Sequence, residues 1–225
     1  KRMMIAQLSH DIKTPITSIQ VTVEGILDGV IKEEERLHYL ATIGRQTERL
    51  NKLVEELDVL TLNTQPQDTD TEEVEEVFLD QLLIESMSEF QLQIEQEERD
   101  VYIQVSPESA KIKSHSDKLS RILVNLLNNA FKYSEPGTRI EVLAQLTEQE
   151  LTISVKDEGQ GILPEDLEKI FKRLYRVETS RNMKTGGHGL GLAIARELAH
   201  QLGGEITAES QYGLGSKFTF CLNLK

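Results

Sequence analysis

One cysteine, Cys221, is all that the 225 residues contain. No internal disulfide can form, and this usage fits a reducing compartment. Cys221 lies in the apolar run FTFCL, where a small core residue is expected. No hydrophobic run approaches membrane-spanning length, and the opening KRMMIAQLSH lacks the shape of a signal peptide. Basic residues are also scarce: 25 Lys and Arg against 38 Asp and Glu leave a net charge of −13. That balance argues against a nucleic-acid backbone or an anionic membrane face as the main partner. A G-K-S/T tripeptide is missing, which excludes a P-loop, and neither an internal repeat nor a low-complexity tract is present. The chain opens inside a helical pattern without an initiating methionine. A piece of a longer protein is therefore expected.

What charge there is falls unevenly. Residues 68–100 hold thirteen Asp or Glu against the single base Arg99. Residues 172–188 reverse this, with Lys172, Arg173, Arg176, Arg181 and Lys184 against Glu178. Such an island is either a local anion site or a solvated loop.

The length leaves room for two cores. Leu8, Ile12, Ile16, Ile19, Val23 and Ile26 recur at spacings of four and three, the stripe of an amphipathic helix. A turn is predicted near Asp28-Gly29, and Leu40, Ile43, Thr47, Leu50, Val54 and Leu57 repeat the pattern in a second helix. Two such helices cannot bury both stripes, whereas an antiparallel hairpin dimerising into a four-helix bundle would. The pattern dissolves in the polar stretch TLNTQPQDTDTEE. The expected organisation is thus a hairpin over 1–62, a linker over 63–75 and a second domain over 76–225.

In that second domain, helices are predicted over 78–94, 117–134, LPEDLEKIF and LGLAIARELAHQLGG. DVYIQV, TRIEVLAQL, ELTISVKD, EITAES and SKFTFCL read as strands, with the second and third paired across a TEQ turn. Without a regular βαβ beat this is an α+β sandwich rather than a doubly wound sheet.

Several stretches could carry chemistry. In NLLNNAFKY, Asn125, Asn129 and Lys132 share one helix face, with Tyr133 beside it. Asparagine suits a helix interior poorly unless its side chain has a task. An amide oxygen can ligate Mg²⁺, a lysine can meet phosphate and a tyrosine ring can stack on a base. The same residues could equally form a solvated polar face. In KDEGQGI, Asp157 precedes Gly159 and Gly161, and could accept a hydrogen bond from an amine such as that of adenine. D-x-G-x-G alone is a weak signal. Gly187, Gly189 and Gly191 form G-x-G-x-G, but no strand directly precedes them, so a Rossmann site fits poorly. What remains is a basic loop, then glycines, then a helix N-terminus at Leu190-Gly191 suited to phosphate. In LSHDIKTP, His10 stands roughly 160° from the apolar stripe and should face solvent, with Thr14 one turn on. Asp11 could take a proton from that ring.

Taken together, these stretches resemble a bacterial sensor histidine kinase. SHDIKTP resembles the phosphoacceptor box, NLLNNAFKYS the asparagine box and DEGQGI the first glycine box. IFKRLYRVE resembles the phenylalanine-containing box, GGHGLGLAIARELA the second glycine box and GLGSKFTF the last. All occur in the family's order and spacing over essentially the whole chain. The wording of HDIKTPITSI and RLYRVETSRNMKTGG is similar to kinases of low-GC Gram-positive bacteria, of the Sae or Wal type.

The resemblance implies a dimerising phosphotransfer hairpin followed by an α/β sandwich of the GHKL ATP-binding type. It implies that His10 is phosphorylated from ATP, that Asp11 orients or deprotonates it, and that Thr14 positions water in a phosphatase reaction. Asn129 with Asn125 would hold Mg²⁺, while Lys132 and Arg176 would neutralise phosphate. Tyr133 would pack on adenine, Asp157 would read its amine, and about 176–188 would form an ATP lid. Implied partners are a second copy and a response regulator, with no direct membrane contact. The segment would be the cytoplasmic portion of a cell-membrane sensor. Asp11 and Lys13 replace the commoner glutamate and arginine, and His188 stands where threonine or serine is usual, as a matter of lid packing. The gyrase-, chaperone- and mismatch-repair-type ATPases share such a pocket but are expected to lack the SHDIKTP helix. A degenerate signalling scaffold is disfavoured by retention of His10, Asn129, Asp157 and the glycine loop.

Overall fold

The computed structural model describes residues 2–61, 74–173, 175, 177 and 189–224. In its two long helices, side chains are described for 12–47, 49–51, 53 and 54. The chain divides into two units, Lys1–Thr64 and Gln65–Lys225.

In the first unit α1 (Arg2–Leu27) and α2 (Arg36–Thr61) pack on each other, joined through a 3₁₀ turn at Glu33–Glu35. The reversal falls where expected. Asp28 N–H bonds the Glu24 carbonyl at 2.8 Å, and Gly29 takes φ +68°, the left-handed conformation that ends helices. Ile31 N–H then returns to the Gly25 carbonyl at 3.0 Å. Pro15 lies inside α1, buried, and Leu53 is buried on α2. Leu53 is not in the stripe read from the sequence. Ile16, Val23, Leu40 and Val54, which are, remain exposed in the single chain.

The second unit is a sheet covered by helices. A five-stranded sheet runs in the order β2-β4-β5-β7-β6, formed by Asp100–Ser106, Arg139–Leu146, Glu150–Asp157, Gly215–Asn223 and Gly204–Gln211. Only β2 and β4 are parallel. The pleat sends alternate residues to one face. Val142, Val155 and Phe218 line up across three strands, as do Ala144, Ile153 and Phe220, and all are buried. Burying a phenylalanine contributes about 1.5–3 kcal/mol. Over this sheet lie α3 (Leu79–Ser88), α5 (Ser116–Tyr133) and α6 (Gly191–Gln201), with α5 against both α3 and α6. On the opposite face Glu141, Lys156, Lys217 and Glu209 form one cross-strand row of compensating charge.

Several expectations need correction. Cys221, expected in the core, is half-buried on the outward face of β7, beside Thr152 of β5 and Glu205 of β6. The helix predicted over 78–94 is two helices, α3 and α4 (Gln91–Gln96), broken at Phe90 with φ −102° and ψ 2°. Tertiary packing overrides periodicity there, because the Phe90 ring stacks on Phe131 of α5 at 4.6 Å and 4°. A second small sheet pairs β1 (Glu75–Phe78) with β3 (Lys111–Ser114), secured by Lys111–Glu76 at 2.6 Å. Strands of four residues are too short for a period of two to register, and the first begins on the last residue assigned to the linker. Finally, LPEDLEKIF is not a helix but a series of turns. Asp166 N–H bonds the Leu163 carbonyl, Lys169 N–H that of Asp166, and Lys172 N–H that of Lys169.

Candidate active site

Asp157 closes β5 on the row that faces the helices, opposite Ser216 on β7 and Ile140 on β4. It is only 3% exposed. Burial pushes its carboxyl up to about 6, against the backbone N–H groups of Gly159 and Ser216, which favour the charged form. The Gly159 N–H donates to Asp157 Oδ1 at 2.9 Å. A buried carboxylate poised near neutrality is an acceptor for a ligand's amine.

The chain after Asp157 is pinned on two sides. Gln160 N–H donates to the Tyr133 carbonyl at the end of α5, at 3.1 Å. Gly213 N–H, from the β6–β7 turn, donates to the Gln160 carbonyl at 2.7 Å. These approaches demand glycine. A Cβ on Gly159 would collide with the Tyr133 carbonyl, and one on Gly161, at φ +67°, with that of Gln211. Gly215 lies equally close to the Asp157 carbonyl. Ser210 Oγ accepts from Ile162 N–H at 2.8 Å and donates to the Gly215 carbonyl at 2.8 Å. The task of Ser210 and Gly215 is not legible in the sequence; the stretch GLGSKFTF signals Gly215, and Ser210 lies outside it.

On α5, Asn125 and Asn129 lie one turn apart and both are half-buried. Asn125 Nδ2 donates to the Arg121 carbonyl at 2.8 Å, and a Cβ on Gly191 would come within 2.9 Å of Asn125 Oδ1. The α6 N-terminus therefore abuts the asparagine face. Leu190 before it is buried, and Gly189 takes φ +69°. Lys132 and Tyr133 are half-buried at the other end of α5, with Lys132 Nζ lying 4.9 Å over the tyrosine ring.

The phenylalanine-containing stretch is tied to the same core. Phe171 meets Phe218 edge-on at 6.4 Å, and the Arg196 guanidinium of α6 lies 5.3 Å over it. Tyr175 Oη donates to Asp166 Oδ1 at 2.6 Å. Arg176, Gly187, His188 and the proposed lid, save Val177, lie outside the described residues.

In the first unit, α1 carries His10, Asp11 and Thr14 within one helical stretch. Thr14 is exposed; the side chains of His10 and Asp11 lie outside the described residues, and with them the expectation that His10 faces solvent. Asn125, Asn129, Lys132, Tyr133, Asp157, Gly159, Gly161, Gly189, Leu190 and Gly191 are thus gathered around α5 in one unit, and the histidine stretch stands in the other.

Asn125 and Asn129 offer neutral amide oxygens on one face, a donor set that fits Mg²⁺ because that ion keeps water and phosphate as its other ligands. Among the described residues no group of three His, Cys, Asp or Glu could hold a metal ion by itself. No helix among them is long and apolar enough to cross a membrane.

Comparison with known proteins bears on both units. Residues 1–65 match the His Kinase A (phospho-acceptor) domain, and residues 114–225 the family of histidine kinase-, DNA gyrase B- and HSP90-like ATPases. The histidine protein kinase SaeS of Staphylococcus aureus is 39% identical over 227 residues, covering 99% of this chain and 64% of that protein. SaeS of Staphylococcus epidermidis is 38% identical over 226 residues, covering 99% and 63%. The chain thus spans less than two thirds of these relatives. Among solved structures, the Acinetobacter baumannii histidine kinase AdeS superposes with a TM-score of 0.75 at 26% identity, covering 96% of this chain and 98% of that one. Histidine kinase ThkA, in complex with the response regulator protein TrrA, has a TM-score of 0.70 at 22% identity, covering 99% and 61%, a likeness of fold.

Proposed function

Because this chain belongs to the sensor histidine kinases, and is similar to SaeS over nearly its whole length, we propose that it transfers the γ-phosphoryl group of ATP to His10 and then to an aspartate of a response regulator. One observation supports the nucleotide half of this reading above the others. A single helix, α5, meets the α6 N-terminus at Asn125 and the Asp157 turn at the Tyr133 carbonyl. Eight residues of helix separate these points by roughly 12 Å, enough to hold a base at one end and phosphates at the other.

At the base end, Asp157 accepts the exocyclic amine of adenine while the Tyr133 ring packs on its face. The glycines let backbone approach a flat ligand. At the phosphate end, the N–H groups that open α6 face the triphosphate. Lys132 turns from the Tyr133 ring, and Arg176 joins it, to neutralise phosphate charge. Asn129 and Asn125 would hold Mg²⁺, which would supply positive charge to offset that of the phosphates. In the hairpin, one ring nitrogen of His10 forms the N–P bond as the bond from phosphorus to the leaving oxygen of ADP breaks. Asp11 orients the imidazole or takes its proton. Thr14 positions water for the opposing phosphatase reaction, in which water attacks the phosphorus of the regulator's phosphoaspartate and the carboxylate leaves, releasing inorganic phosphate. The exposed stripe of α1 and α2 pairs with a second copy. The parent protein is a membrane-anchored sensor, and this segment is its cytoplasmic part.

Incubation with γ-³²P-ATP and Mg²⁺ should label the chain with an acid-labile, base-stable phosphate. His10→Gln should abolish the label while leaving nucleotide binding intact. Undiminished labelling of His10→Gln would remove the phosphoacceptor assignment. Asn129→Asp should cripple labelling, and full activity there would remove the metal assignment.

A further inference from the structure

Arg99 is the lone base of the acidic stretch 68–100, and the nucleotide reading gives it no task. Its side chain is 1% exposed. The guanidinium is engaged on every side. Nε and Nη2 meet Glu97 Oε2, each at 2.7 Å. Nη1 donates to Ser134 Oγ at 2.7 Å, to Thr138 Oγ1 at 2.9 Å and to the Glu135 carbonyl. Nη2 reaches the Ser134 carbonyl at 2.9 Å and that of Phe131 at 3.3 Å.

The carbonyls of Phe131 and Ser134 belong to the end of α5, where a helix leaves acceptors unpaired and favours a cation. Between them in sequence stands the Tyr133 carbonyl, which receives Gln160 N–H and lies against Gly159. The last turn of α5 is therefore held from one side by Arg99 and grips the Asp157 turn on the other. Only a planar fork with five donors can serve this many acceptors at once.

We propose that Arg99 is a positioning residue for the nucleotide. It fixes the last turn of α5, and through the Tyr133 carbonyl the glycine turn that carries Asp157, without touching the ligand itself. This rests on the nucleotide reading above.

The test uses the full chain, with binding of a non-hydrolysable ATP analogue and Mg²⁺ followed by calorimetry, and melting recorded alongside. Arg99→Lys keeps the charge and loses the fork. It should weaken binding by about tenfold and raise KM for ATP in self-labelling similarly, leaving the rate at saturating ATP within about twofold, since small misplacements of binding groups are costly. Ile206→Ala, on β6 at the opposite edge of the sheet from β2, supplies a comparably destabilised control and should bind as the parent does. The paired change Ser134→Ala with Thr138→Val removes two acceptors while Arg99 stays. It should weaken binding by about threefold even if Arg99→Lys fails to fold. Parental affinity in Arg99→Lys, or in the paired variant when Arg99→Lys does not fold, overturns the proposal. So does an equal loss in Ile206→Ala. A parent chain that binds no nucleotide would overturn the nucleotide reading instead.

Discussion

The two units differ in how completely each closes its own core. In the hairpin, the stripe residues Ile16, Val23, Leu40 and Val54 stay 37–53% exposed. In the sheet unit, Ile140, Val142, Leu151, Val155, Phe218 and Phe220 are 0–1% exposed. The reason is geometric. Within the hairpin unit, each helix packs on the other and carries a stripe wider than that one partner can cover, whereas each inward sheet residue has strands beside it and helices above. A unit that finishes its core can spend its remaining polar groups on a site. A unit that does not is completed by association, and this supports a second copy as the partner of the exposed stripe.

That contrast can be broken at graded cost. The largest effect is expected from Gly159→Ala, whose Cβ has no room beside the Tyr133 carbonyl. Forcing it in should cost about 2–4 kcal/mol of stability in the sheet unit and abolish measurable nucleotide binding, as read by urea titration and calorimetry. The hairpin should keep its self-association. A variant as stable as the parent would show that the Asp157 turn is not rigid.

Asp157→Asn comes next. With its carboxyl raised from 3.8 to about 6, the folded chain holds more protons than the unfolded one between those values. Stability therefore falls as pH rises through that window and stays lowered above it, by about 3 kcal/mol at pH 7. Asparagine removes that cost. The nucleotide-free variant should melt higher than the parent at pH 7, and their difference should vanish near pH 4. Its nucleotide affinity should drop by about tenfold or more, because the carboxylate acceptor is gone. The parent should also lose affinity as pH falls through about 6, a step that Asp157→Asn should lack. Identical melting of the two proteins at pH 7 would deny the burial cost.

Leu40→Glu acts on the other unit. A charge on the exposed stripe should weaken dimerisation by about 1–3 kcal/mol per contact, seen as a concentration-dependent shift toward monomer in analytical ultracentrifugation. Binding of the ATP analogue should remain within about twofold of the parent. A dimer of unchanged strength would place the partner elsewhere than on this stripe.

Arg196→Ala should have the smallest effect. Its guanidinium over Phe171 contributes about 1 kcal/mol or less. The melting temperature should drop by a few degrees at most, and a collapse of nucleotide binding would reveal a second task for Arg196.

Much of this was legible in the sequence because the relevant signals are local. The four-three spacing from Leu8 to Ile26, the turn at Gly29, the helix of Asn125 and Asn129, and the hairpin of β4 and β5 each follow from residues only a few positions apart. The ordered boxes indicated the family for the same reason, since each is a contiguous string. Where local signals conflicted with packing, the reading failed. The break at Phe90 is set by a ring on α5, and β1 finds its partner strand in β3 more than thirty residues away.

What the sequence by itself determined is the order of the elements and the chemical type of each group available. Only the tertiary structure decided the state of those groups. It buried Asp157 opposite Ser216, set Asn125 against the start of α6, and placed Arg99 on the end of α5. Burial and hydrogen-bond partners come from segments far apart in the chain, and no periodicity within one segment records them. The candidate residues stand in the sequence as residue types; their burial and their hydrogen-bond partners were set by what folded around them.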